Sequence, residues 1–170
     1  MNKLIIGNTE FKGMLISIAR QMQKDNWRPD YIVGITRGGL QAAVMLSHYL
    51  DVPMHTLNVS LRDSNSSPES NLWMAEDAFG YDKPPKNILI VDDINDQGST
   101  LNWIMEDWPS GCFPNGNRWA EIWGNNVRFA VLVDNLSSKC VRKVNYCGFE
   151  INKAEEDVWI EFPYEEWWTK

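Results

Sequence analysis

Ile88-Leu89-Ile90-Val91-Asp92-Asp93-Ile94-Asn95-Asp96-Gln97-Gly98-Ser99-Thr100 is the stretch that decides the fold of this chain. Its first four residues, Ile88 to Val91, are apolar and read as a strand buried on both faces, as in parallel sheets. Carboxylates follow at Asp92, Asp93 and Asp96, then Gly98, Ser99 and Thr100. Leu101 to Trp108 resumes as a helix. Such a turn sets free backbone N–H groups and two hydroxyls at a helix N-terminus, where a phosphate binds well. The acids just upstream repel a bare phosphate. They make sense as partners of sugar hydroxyls or of a divalent cation. The residues therefore suggest a phosphorylated sugar with free hydroxyls, accompanied by Mg²⁺. The plainer alternative is a strand-to-helix turn with acidic caps. Adjacent acids at the end of a buried strand are costly without partners, which weighs against it.

Outward from this segment the chain alternates strand and helix signals. Asn8 or Thr9 is placed to cap a first helix reaching about Asn26, with Phe11, Leu15, Ile18, Ala19 and Met22 at helical spacing. Tyr31 to Ile35 reads as a strand, Leu40 to Leu50 as a helix and Val52 to Val59 as a strand. Residues 60–86 form a long polar loop with a helical turn near Leu72 to Phe79. Residues 109–126 mix Pro, Gly and Asn with aromatics and are expected to be an insertion, in which Trp119 and Trp123 pack on the body or form a subunit contact. Val127 to Asp134 and Val141 to Glu150 are further strands. The alternation predicts an α/β fold, a central, mainly parallel sheet flanked by helices, as one domain over residues 1–170.

Composition narrows the function classes. The net charge of -7 speaks against an extended nucleic-acid footprint, which needs a basic stripe. Cys112, Cys140 and Cys147 form no close metal-ligand pair, and their odd number suits reduced thiols in the cytoplasm. The run from Met1 to Gly7 is too short for a signal peptide, and no apolar run approaches a membrane span. His48 and His55 read as structural or surface residues, and the acidic tail as a solvated face.

A second junction, Ile32-Val33-Gly34-Ile35-Thr36-Arg37-Gly38-Gly39-Leu40, again ends a strand and opens a helix. Paired glycines allow close backbone approach to a ligand, and Arg37 adds a permanent forked cation. Both junctions fall at C-terminal strand ends, where ligands bind in open α/β sheets. A third segment, Asp157-Val158-Trp159-Ile160-Glu161-Phe162-Pro163, reads by itself as a short strand with Trp159 in the core.

Taken together, these segments resemble the type I phosphoribosyltransferases, and among them the xanthine-guanine and hypoxanthine enzymes. Residues 88–100 match the signature that binds phosphoribosyl diphosphate (PRPP), with Gln97 standing where the family usually has Thr. The Thr36-Arg37-Gly38-Gly39 turn is similar to the family's diphosphate loop, which often holds a cis peptide, here between Thr36 and Arg37. The third segment resembles the base-binding strand, with Tyr164 in place of a second Trp. The resemblance spans about Tyr31 to Pro163. It implies a C-terminal base-binding hood over residues 151–170 and transfer of a phosphoribosyl group from PRPP to hypoxanthine, guanine or xanthine. Asp92 and Asp93 would hold the ribose hydroxyls and Mg²⁺. Gln97, Gly98, Ser99 and Thr100 would cradle the 5′-phosphate, and Thr36, Arg37, Gly38 and Gly39 the diphosphate. Asp96 is either general base or brace of the phosphate loop. Arg62 is placed to close over the diphosphate, or is a surface cation. Trp159 would stack on the purine while Ile160 and Glu161 read its edge. The family's base-reading Lys is missing after the fourth strand; Asp134 or Asn135 stands there. A homo-oligomer is implied as well. The competing reading is a regulatory protein of the same fold that senses a nucleotide or PRPP.

Overall fold

The structure, a computed structural model, describes residues 2–59 and 71–170. Five strands form a parallel sheet in the order β3-β2-β4-β5-β6: β2 Tyr31–Thr36, β3 Met54–Asn58, β4 Ile88–Asn95, β5 Val127–Asn135 and β6 Tyr146–Ile151. The central strand β4 begins Ile-Leu-Ile-Val, and all four side chains are fully buried. Parallel strands need crossover connections, and the helices supply them on both faces. α1 (Asn8–Lys24) and α2 (Leu40–Leu50) cover one face. α3 (Leu72–Phe79), α4 (Ser99–Ser110) and α5 (Arg118–Ile122) cover the other.

Several boundaries differ from the sequence expectation. β4 runs on through Asp92 and Asp93 to Asn95, because its pairing with β5 continues to Ile94↔Val133 and Asn95↔Asp134. α4 starts at Ser99, two residues before Leu101, with Gly98 at φ +86° just ahead of it. A side chain at Gly98 would run into the Cys140 backbone, so the turn requires glycine twice over. The first helix is entered through Gly7, ahead of Asn8 and Thr9. The last strand of the sheet begins at Tyr146 rather than Val141.

From residues 109–126, expected as an insertion, Cys112, Trp119, Ile122 and Trp123 enter the core while most of the segment is exposed. Trp119 and Trp123 are buried, 5.3 Å apart between ring centroids, and Trp123 stacks on Phe129 of β5 at 5.7 Å. The tryptophans pack on the body, the first of the two alternatives.

A strand unforeseen in the sequence, β1 (Asn2–Ile5), pairs in parallel with β7 (Val158–Glu161) to make a small second sheet. All four β1 residues are exposed, so no buried face marks the strand. The pair is tied by Lys3 Nζ to Glu161 Oε1 at 2.6 Å, and Lys170 reaches the other carboxylate oxygen at 3.3 Å. The Lys3 hydrogen bond holds the Glu161 carboxyl below its ordinary range. A single turn of 3₁₀ helix, Trp167–Thr169, follows. Among the described residues no helix is long and apolar enough to cross a membrane.

If residues 109–126 contribute to the core, Trp119→Ala should cost about 3–5 kcal/mol of stability by denaturant unfolding. A loss under about 1 kcal/mol would mark the segment as peripheral.

Candidate active site

The C-terminal ends of β2 and β4 open into a cavity of about 530 Å³. The β2 turn lines it with Thr36, Arg37 and Gly38, the end of β4 with Asp92 and Asp93, and the following turn with residues 96–100. Gly39 lies just behind, where a side chain would run into the Val91 carbonyl. A side chain at Gly38 would likewise collide with the Asp93 carboxylate. The Thr36–Gly39 turn is thus pressed directly onto the acidic strand end. The Thr36–Arg37 peptide is cis.

Two positive features face the acids. The first is the start of α4: the first turn of a helix lacks intrahelical acceptors for its N–H groups, and Ser99 and Thr100 of that turn line the cavity. The second is Arg37, an exposed cation that lines the same cavity. Asp92 accepts the Asp93 backbone N–H at 2.9 Å. Burial, and then the charge of Asp93, push the Asp92 carboxyl well above its usual range. A hard divalent cation would relieve both effects. Mg²⁺ takes one or two carboxylates and completes its shell from water and substrate oxygens, so this donor pair fits it. Among the described residues no group of three or more His, Cys, Asp or Glu forms a dedicated metal cage.

Asp96 is clamped from two sides. Lys153 Nζ lies 3.1 Å from its Oδ2, and Asn135 Nδ2 donates to its Oδ1 at 3.3 Å and to its carbonyl at 2.9 Å. Asn135 Oδ1 in turn accepts from Ser137 and from the Lys153 backbone N–H. Its amide is therefore committed to bracing residues 96 and 153. Asp134 is buried and accepts from Asn95 Nδ2 at 2.9 Å. Lys153 enters the site from the turn after β6, 57 residues from Asp96. The sequence reading did not single out this contact of Asp96, and no local motif announces it.

Residues 151–170 contribute nothing to the lining of this cavity. Trp159 is 45 % exposed on β7, with its neighbours Val158 and Ile160 turned into the core. The Glu161 carboxylate faces Lys3 and Lys170, and its carbonyl accepts the Ile6 N–H at 2.8 Å. Tyr164 reaches back to the β2 turn, its hydroxyl donating to the Gly38 carbonyl at 2.8 Å. Arg62 lies outside the described residues.

Comparison with known proteins agrees with this geometry. Residues 8–166 match the family described as phosphoribosyl transferase domain. The chain is 28 % identical over 148 residues to the xanthine-guanine phosphoribosyltransferase of Cereibacter sphaeroides, covering 82 % of this chain and 70 % of that protein. It is 30 % identical over 108 residues to the hypoxanthine-guanine phosphoribosyltransferase of Schizosaccharomyces pombe, a match spanning about half of each chain (52 % and 52 %). Among solved structures it is similar to a purine phosphoribosyltransferase from Pyrococcus horikoshii, with a TM-score of 0.67 at 23 % identity, covering 98 % of this chain and 96 % of that one. At that identity the structural likeness speaks for the fold, and the family match over nearly the whole chain speaks for descent. With its acidic strand end, glycine-built turn and helix N-terminus around one cavity, the chain belongs to the type I phosphoribosyltransferases, a family of enzymes.

Proposed function

We propose that the protein transfers the 5-phosphoribosyl group of PRPP to a 6-oxopurine (hypoxanthine, guanine or xanthine) with release of diphosphate. The observation that carries this reading is the convergence of two loops on one cavity. A phosphate cradle at Gly98–Thr100 and a cationic glycine turn at Arg37–Gly38 flank the acid pair Asp92–Asp93. That order of charges suits a sugar with a phosphate at one end, a diphosphate at the other and hydroxyls between. Asp92 and Asp93 hold the ribose hydroxyls and Mg²⁺. When bound, Mg²⁺ neutralises charge on the diphosphate oxygens. Arg37 and the loop amides stabilise the same group as it departs.

In the transfer a purine nitrogen donates its lone pair to the anomeric carbon. The bond from that carbon to diphosphate breaks, and diphosphate leaves with the electron pair. The proton on the purine's other imidazole nitrogen passes to Asp96. Holding both reactants in line supplies much of the acceleration. Trp159, half exposed on the hood, offers a face for the base to stack on. The Glu161 carbonyl points to β1, so by strand alternation the Ile160 carbonyl points to the opposite edge, toward a ligand rather than β1.

Lys153 supports a 6-oxo base. In such a purine, N7 and O6 lie side by side on one edge, at hydrogen-bond spacing. Asp96 and Lys153 present an acceptor and a donor at similar spacing. The carboxylate takes the N7 proton while the ammonium donates to O6. A 6-amino base would put two donors against that ammonium. Family membership and the free cysteines further support a homo-oligomer in the cytoplasm, with small molecules rather than nucleic acid or membrane as partners.

The direct test supplies PRPP, Mg²⁺ and hypoxanthine, guanine, xanthine or adenine in turn and measures diphosphate. Release with the 6-oxo bases is expected. PRPP binding by calorimetry without release for any base would instead favour the sensor. Asp96→Asn should lower turnover about 100-fold or more while PRPP affinity stays near wild type. Normal turnover would remove Asp96 from the chemistry. Lys153→Met should raise KM for hypoxanthine about tenfold or more, the worth of a charged hydrogen bond. Unchanged discrimination against adenine would show that another group reads the base.

A further inference from the structure

The hood and the diphosphate-type loop are far apart in sequence, yet one hydroxyl joins them. Tyr164 Oη donates to the Gly38 carbonyl at 2.8 Å across a separation of 126 residues. Among the described residues no other hydrogen bond or ion pair connects residues 158–170 with residues 36–39.

Both partners are rigidly placed. The Tyr164 ring stacks on Phe162 at 5.7 Å and 7°, and meets Phe11 of α1 edge-on at 6.0 Å. The turn beneath it is closed twice, by the Glu165 N–H to the Phe162 carbonyl at 3.0 Å and by the Phe162 N–H to Glu165 Oε1 at 3.1 Å. On the loop side, the Gly39 N–H donates to the Ile35 carbonyl at 2.8 Å. The Gly38–Gly39 peptide is therefore gripped at both ends, by β2 through its N–H and by the hood through its carbonyl. Gly38 itself rests on the Asp93 carboxylate, so any shift of this peptide is felt by that acid. Burial and the nearby charge of Asp93 push the phenol upward, which keeps it an O–H donor.

We infer that Tyr164 is a positioning residue: its hydroxyl sets the orientation of the Gly38–Gly39 peptide and so couples the hood to the loop that takes the diphosphate. The inference rests on the proposed role of that loop. It gives the phenol a function that a Phe ring at the same place would not supply, because a phenyl ring fixed by the same packing has no donor for the carbonyl. Removing it leaves a carbonyl without its partner while the ring contacts stay in place.

Tyr164→Phe isolates the hydroxyl. Its melting temperature, its amide hydrogen exchange at residues 37–39 and its calorimetric affinity for inorganic diphosphate with Mg²⁺ should be compared with wild type. Exchange at Gly38 and Gly39 is expected to quicken about fivefold or more, and diphosphate affinity to fall by a similar factor, the worth of one hydrogen bond. Melting should shift by only a few degrees. Unchanged exchange and unchanged diphosphate affinity would overturn the inference, as would a variant whose only change is a lower melting temperature. A wild-type protein that binds no diphosphate would remove the proposed role of the loop, and with it the coupling. The exchange comparison would still report separately whether the hydroxyl holds Gly38.

Discussion

Asp92, Asp93 and Asp96 crowd the end of one buried strand, and much of the surrounding structure answers that concentration of negative charge. β4 delivers them because its apolar first half is held in the middle of the sheet, where pairing on both sides leaves the chain no freedom to turn them away. Left alone, such a cluster is unfavourable, as the raised Asp92 carboxyl attests. The fold sets the N-terminus of α4 and Arg37 around the same cavity, and brings Lys153 to Asp96. The remaining charge is what a hydroxyl-bearing sugar and a hard cation would neutralise. Stability and function pull against each other here, as they commonly do at functional sites.

The small β1–β7 sheet shows the same economy. β7 depends on β1, whose exposed residues have no stability of their own and are held by pairing and by the Lys3–Glu161–Lys170 ion pairs. Ion pairs near a surface contribute modestly, so the packing of Val158, Ile160 and Phe162 against the α1 face provides most of the anchoring. That leaves Trp159 outward and Tyr164 inward, one toward solvent and the other toward the loop.

Legibility in the sequence followed the range of the forces involved. Leu40–Leu50 is readable as a helix to the residue, and Leu72–Phe79 as a helical turn within a polar loop, because periodicity and flanking breakers are local signals. For Trp119 and Trp123 the sequence leaves open packing on the body or a subunit contact, because a stretch rich in Pro, Gly and Asn carries no period; the structure buries both rings in the core. β1 was invisible because its partner lies at the other end of the chain. Asn135 reads from the sequence as a candidate donor to the base, but not as the brace whose amide is committed to Asp96.

What the sequence determined by itself is the parallel α/β plan and the two glycine-bearing turns that surround the acids, since each is written in a few consecutive residues whose backbone and charge demands admit few alternatives. Only the tertiary structure decided that Lys153 meets Asp96, that Asn135 faces inward and that Tyr164 touches Gly38. Those contacts join residues between 39 and 126 positions apart, and no local preference encodes which side chains the closing sheet and hood will bring together.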